Sequence, residues 1–135
     1  MVSKKQNLFS ATTAIILLIF MIIFSSCSKD EGETQAEIDD RVIQQYLSDN
    51  NIDAVKHESG LYYEITKEGS GSHPDINSNV TVSYKGYLIN GTVFDKTPTG
   101  QTISFPLTAV IKGWQIGVPL LKQGGEGLFF IPSEL

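Results

Sequence analysis

The spacing of apolar residues changes at Gly60, from the pattern of an amphipathic helix to one dominated by short antiparallel strands. Before Gly60, Ile38, Val42, Ile43, Tyr46 and Leu47 recur at intervals of one helical turn and form a single apolar stripe. Thr34 and Glu37 have capping-box spacing at its start, and Asp49, Asn50 and Asn51 end it, because short polar side chains compete for backbone hydrogen bonds. After Gly60 the period falls to two. Leu61, Tyr63 and Ile65 alternate with Tyr62, Glu64 and Thr66, as in a half-buried strand.

The same alternation continues downstream. Gly69 to Asp75 reads as a surface loop, and Val80, Val82 and Tyr84 then lead through Tyr87, Leu88 and Ile89 to Asn90-Gly91. Asn-Gly between such runs predicts a hairpin with a type I′ turn, returning through Thr92, Val93, Phe94 and Asp95. Gly86 inside the first arm predicts a bulge or bend. Ile103, Phe105 and Leu107 form another strand, with Thr108 placed to cap a second helix. Ile111, Trp114, Val118 and Leu121 have helical spacing, but Gly113, Gly117 and Pro119 keep that helix short. Gly124-Gly125 ends it, and Gly127 to Ile131 is a last apolar strand.

Residues 1–26 read as a signal peptide. Lys4 and Lys5 precede an unbroken apolar run from Ala14 to Phe24, shorter than the ~20 residues a spanning helix needs. The only cysteine, Cys27, follows Ser25 and Ser26 where that run ends, and the arrangement resembles the lipobox of bacterial lipoproteins. That resemblance implies cleavage before Cys27 and acylation of its sulfur and amine, which together give firm membrane attachment. The other reading of 1–26 is an uncleaved anchor helix.

Residues 27–33 are polar and acidic and read as a solvated tether. They are also similar to the acidic export tag of surface lipoproteins in Bacteroidetes-type bacteria. A helix and linker (34–59) and a main domain (60–135) complete the expected organisation. Without the leader the chain keeps eight basic residues against fifteen acidic ones, a net charge of −7, which argues against nucleic acid as partner. One cysteine allows neither an internal disulfide nor a Cys-rich zinc site. His57 and His73 sit in polar stretches without ligand-spaced partners and read as solvated surface residues.

Val82-Ser83-Tyr84-Lys85-Gly86-Tyr87, Asn90-Gly91, Val93-Phe94-Asp95, Val110-Ile111-Lys112-Gly113-Trp114, Gly117-Val118, Gly124-Gly125 and Ile131-Pro132 together resemble, in order and spacing, the FKBP-type peptidyl-prolyl isomerases. The likeness covers about Leu61 to Leu135. It implies an α+β fold in which a curved antiparallel sheet wraps one short helix, with an aromatic pocket between them and no cofactor or metal.

In that resemblance Trp114 floors the pocket, Tyr84, Phe94 and Asp95 form the opposite side, and Ile103 and Phe105 complete it. Val110 and Ile111 line the wall, with the Ile111 N–H holding a substrate carbonyl. Taken singly, each apolar member reads equally as core and Asp95 as a turn residue. The implied partners are proline-containing polypeptides, the membrane through lipidated Cys27, and macrolide-type inhibitors. The implied location is the cell envelope, on the periplasmic side or surface of the outer membrane. Two other functions fit: a lipid-anchored proline-segment binder or chaperone without turnover, and an accessory lipoprotein of the gliding-motility type. Family members continue past the residues matching Leu135 into an aromatic loop and a last long strand, so the resemblance implies a C-terminally truncated chain.

Overall fold

The computed structural model describes residues 32–135. The leader, Cys27 and the tether as far as Glu31 lie outside the described residues. No helix among the described residues is long and apolar enough to cross a membrane.

Helix α1 spans Gln35–Asn50. Its start is the expected capping box: Glu37 N–H donates to Thr34 Oγ1 at 3.3 Å, and Thr34 N–H donates to Glu37 Oε2 at 2.8 Å. Each bond gives a partner to a backbone donor that the first turn would leave free. Asn51 closes the helix in the left-handed region, φ 54°, its N–H reaching the Leu47 and Ser48 carbonyls. An asparagine tolerates that conformation at lower cost than most residues.

Strands β1 (Val55–Lys56), β2 (Tyr62–Lys67), β3 (Asn79–Val82), β4 (Lys85–Tyr87), β5 (Val93–Lys96), β6 (Ile103–Pro106) and β7 (Glu126–Phe130) come next in the chain, with helix α2 (Lys112–Gly117) between the last two. The α+β class is as expected, but hydrogen bonding divides the strands into three antiparallel sheets, β1-β2-β7, β3-β6 and β4-β5. The single run predicted from Val80 to Ile89 breaks at Ser83–Tyr84, so its two halves pair with different strands.

The β2–β7 ladder sits between the two helices. Tyr62 lies opposite Phe130 and Tyr63 opposite Phe129, so neighbouring residues face opposite sides. On one side Tyr62 packs with Ile43 and Leu47 of α1, and Tyr46 meets the Phe130 ring at 5.9 Å. On the other, glycines bring α2 close: a Cβ on Gly117 would fall 2.9 Å from Phe129 Cδ1, and one on Gly113 only 2.5 Å from Ile131 Cγ2. This corrects the half-buried reading of β2. Tyr62 is buried because α1 covers the first half of the face that the alternation left to solvent, whereas Ile65, on the other face near the strand's end, is exposed.

Further departures are local. Leu88 C=O accepts from Gly91 N–H at 2.8 Å, and Gly91 alone in this turn has positive φ, 86°. The hairpin therefore has a wider loop than a two-residue type I′ turn, which requires positive φ at Asn90 as well. The bulge expected at Gly86 is present, with the register shifting between Gly86 and Tyr87. Thr108 does not cap α2. It lies inside a 3₁₀ turn, Leu107–Ala109, and the N-cap of α2 is Ile111, which has no side-chain cap. Leu61 and Leu107 are fully buried, and Leu107 is held at the end of the β3–β6 ladder by its N–H bond to the Ser78 carbonyl, 3.0 Å.

Candidate functional site

Tyr84 owes its position to the break between β3 and β4. No strand partner serves its backbone there, and Thr97 does so instead: Tyr84 N–H donates to Thr97 Oγ1 at 3.1 Å, and Thr97 N–H donates to the Tyr84 carbonyl at 3.0 Å. Trp114, half-buried on α2, meets the Tyr84 ring edge-on, with centroids 5.0 Å apart and planes at 88°. Phe105 of β6 approaches the same indole at 5.4 Å and 64°. Edge-to-face packing of this kind sets a positive ring edge against a negative ring face and fixes the orientation of all three rings.

Asp95 sits on β5 opposite Gly86. Its Oδ2 accepts a hydrogen bond from the Tyr84 hydroxyl, while Oδ1 accepts from Lys96 N–H at 2.8 Å. The carboxylate stabilises the protonated hydroxyl and pushes the Tyr84 pKa up from the ordinary tyrosine value, with partial desolvation acting the same way. The cluster thus joins three aromatic rings to one carboxylate already engaged by a phenol.

The structure brings Tyr84, Asp95, Phe105 and Trp114 together. Phe94 stands differently from its neighbours. Its ring lies over Gly86, where a Cβ would be 2.6 Å from Phe94 Cζ, and the side chain remains 67% exposed. Among the described residues it makes no ring contact with Trp114. Ile103 is exposed at the start of β6, two residues from Phe105 and on the same strand face. Val110 is half-buried and Ile111 is 56% exposed, both just ahead of α2. No acceptor among the described residues takes the Ile111 N–H, whereas the Ile111 carbonyl accepts from Trp114 and Gln115.

Two residues that orient this site were not singled out from the sequence. Thr97 clamps Tyr84, and Gln115 Nε2 donates to the Val110 carbonyl at 2.8 Å, tying the segment before α2 to the helix. Neither has a motif or period, since each acts through a backbone atom of a residue distant in pattern. A separate open groove of about 470 Å³ runs along the polar side of α1, lined by Glu37, Asp40, Arg41, Gln44, Gln45 and Ser48. Every residue lining it is polar or charged. Among the described residues no cluster of three or more His, Cys, Asp or Glu side chains has metal-binding geometry.

Residues 70–135 match the family model described as FKBP-type peptidyl-prolyl cis-trans isomerase. A Neisseria meningitidis protein named "Probable FKBP-type peptidyl-prolyl cis-trans isomerase FkpA" is 50% identical over 95 residues, 68% of this chain and 35% of that protein. A Legionella longbeachae protein named "Outer membrane protein MIP" is 41% identical over 78 residues, 57% of this chain and 34% of that one. The chain therefore spans about a third of the length of these curated relatives. Among solved structures, FkpA from Escherichia coli superposes with a TM-score of 0.64 at 28% identity, covering 98% of this chain and 61% of that one.

Proposed function

We propose that this chain, whose residues 70–135 match the FKBP-type peptidyl-prolyl cis-trans isomerase domain, interconverts X-Pro bonds in exported or envelope proteins, using the cleft floored by Trp114. The observation that supports this reading is the ring triad itself, with Tyr84 and Phe105 both edge-on to one indole. Such a surface suits a flat, apolar prolyl ring.

Amide resonance sets a barrier of about 18–20 kcal/mol to rotation, while the two X-Pro isomers differ by only about 1 kcal/mol. Catalysis therefore needs no nucleophile and no bond cleavage. The twisted amide has a less polar carbonyl than either planar isomer, so aromatic walls that exclude water favour it over the ground state. A thousandfold acceleration requires about 4 kcal/mol of such differential binding. In this reading the Ile111 N–H, free of other acceptors among the described residues, holds a substrate carbonyl beside the prolyl ring. The Tyr84–Asp95 pair fixes the opposite wall, with Phe94, Ile103, Phe105 and Val110 enclosing the substrate's flanking residues. Macrolide-type inhibitors that present a prolyl-like ring occupy the same cleft.

The location follows from residues 1–27. Cleavage before Cys27 and acylation there attach the chain to the envelope, and the acidic residues after it set the domain away from the membrane. The test of the activity is exchange between cis and trans in a proline peptide: faster exchange with the protein than in buffer, slowed by Trp114→Leu, is the expected result. A Trp114→Leu variant that matches the parent rate would remove the cleft from the mechanism. For attachment, Cys27→Ala should move the protein from the membrane to the soluble fraction.

A further inference from the structure

Helix α2 carries Trp114, yet its N-cap, Ile111, has no side chain able to serve the free backbone donors of the first turn. The main-chain oxygen of Leu135 takes over part of that role, accepting from Gly113 N–H at 3.0 Å. Leu135 belongs to a turn closed by its own N–H to the Pro132 carbonyl, 3.1 Å. The other side of that turn is held from α1: Ser133 N–H and Ser133 Oγ both donate to Asp39 Oδ2 at 2.6 Å. A hydrogen-bonded path thus runs from a carboxylate on α1, through one tight turn, to the first turn of the helix bearing the indole.

From this path we infer that Asp39 is a positioning residue for the cleft, setting the turn that caps α2 and through it the angle at which Trp114 meets Tyr84. The inference rests on the isomerase reading for its kinetic consequence but not for its structural one. Asp39 is not what keeps α1 attached. That work falls to Ile43 and Leu47 against Tyr62, and to Asp40, which pairs with Lys56 at 2.5 Å and accepts from Tyr62 Oη at 2.9 Å. Two adjacent carboxylates therefore have separate tasks: Asp40 anchors the helix, and Asp39 sets the turn.

Trp114 is the only tryptophan in the chain, so its emission reports the cleft floor without labels. The experiment compares Asp39→Ala, Asp39→Asn and Lys56→Met in the full chain by acrylamide quenching of that emission and by KM and kcat on a proline peptide, with circular dichroism to verify folding. Asp39→Ala should quench more readily and raise KM about three- to tenfold with kcat changed less, the range that positional coupling spans. Asn retains an acceptor for Ser133 and should restore most of both. Lys56→Met loosens the anchor without touching Ser133 and should leave quenching as in the parent. Parental quenching and KM in Asp39→Ala would overturn the inference. So would equal changes in Asp39→Ala and Lys56→Met, which would mean that α1 acts only as a whole. If the parent chain proves not to isomerise, the functional reading fails on its own, and the quenching of the three variants still decides whether Asp39 positions Trp114.

Discussion

The Tyr84 ring stands edge-on to Trp114 while its hydroxyl is held by Asp95, so one side chain links the indole to the carboxylate. Replacing Trp114 with leucine removes the surface that both Tyr84 and Phe105 pack against. The variant should bind a prolyl ligand at least about tenfold more weakly, a loss of about 1.4 kcal/mol. It should still fold, since α2 is seated through Gly113 and Gly117 rather than through the indole. Titration with a proline peptide or a macrolide-type ligand measures the first, and a thermal melt the second.

Tyr84→Phe separates the ring from the hydroxyl. The folded-state pKa of this phenol is raised by Asp95, so the hydrogen bond's contribution is complete below the ordinary tyrosine value of about 10 and is lost as pH climbs through the raised one. Wild-type kcat/KM should hold through neutral and mildly alkaline pH and fall beyond that ordinary value. In Tyr84→Phe the alkaline fall assigned to this group should be gone and the plateau lowered. A pH–rate profile of both proteins decides it; the same fall in the variant would assign the titration elsewhere.

Gly86→Ala and Gly113→Ala create similar steric conflicts with different outcomes. At Gly86 the new methyl meets the tip of Phe94, which is 67% exposed and free to swing away, so stability should change little while Phe94 leaves its place beside the hairpin. At Gly113 it meets half-buried Ile131 2.5 Å away, and the overpacking should cost about 1–3 kcal/mol, more than the helix propensity gained by alanine. Urea unfolding of the two variants gives the comparison directly.

The polar contacts that α1 makes through Asp39 and Asp40 should weaken in acid. The Asp39 carboxyl is held below its usual range by the Ser133 side-chain and backbone donors, and that of Asp40 mainly by Lys56, with Tyr62 and Gln44 adding to the effect. A depressed carboxylate contributes stability above its unfolded value of about 4 and loses it as pH falls through the lower folded one. The melting temperature should therefore drop as pH is taken from 6 to 3, and Asp40→Asn should flatten that dependence while lowering the neutral-pH value. An equally steep dependence in Asp40→Asn would remove Asp40 from the acid response.

Helix α1 was legible because its signals are local: Thr34 and Glu37 cap each other within one turn, and Asn51 ends the helix on its own. The cluster of Tyr84, Asp95, Phe105 and Trp114 was legible only as a joint pattern, since a single ring on a strand or helix reads as core. What escaped was set by distant packing. Tyr62 is buried because α1 folds over it, and the run from Val80 to Ile89 breaks because its halves find different partners. Thr108 has the right side chain for a cap but sits inside a 3₁₀ turn, and α2 is capped from the Pro132–Leu135 turn instead. Phe94, expected with Tyr84 and Asp95 on the side opposite Trp114, has its ring over Gly86, where a residue without a side chain leaves space for it.

Phe129 packs toward α2 and Phe130 toward α1, consecutive residues of one strand addressing two different helices. A slip of β7 by a single residue would exchange what the two helices touch, undoing both contacts at once. The pairing frame of this strand therefore acts as a common ruler: any homologue that preserves the cleft must conserve the phase of β7, and an insertion within it would be tolerated only in pairs.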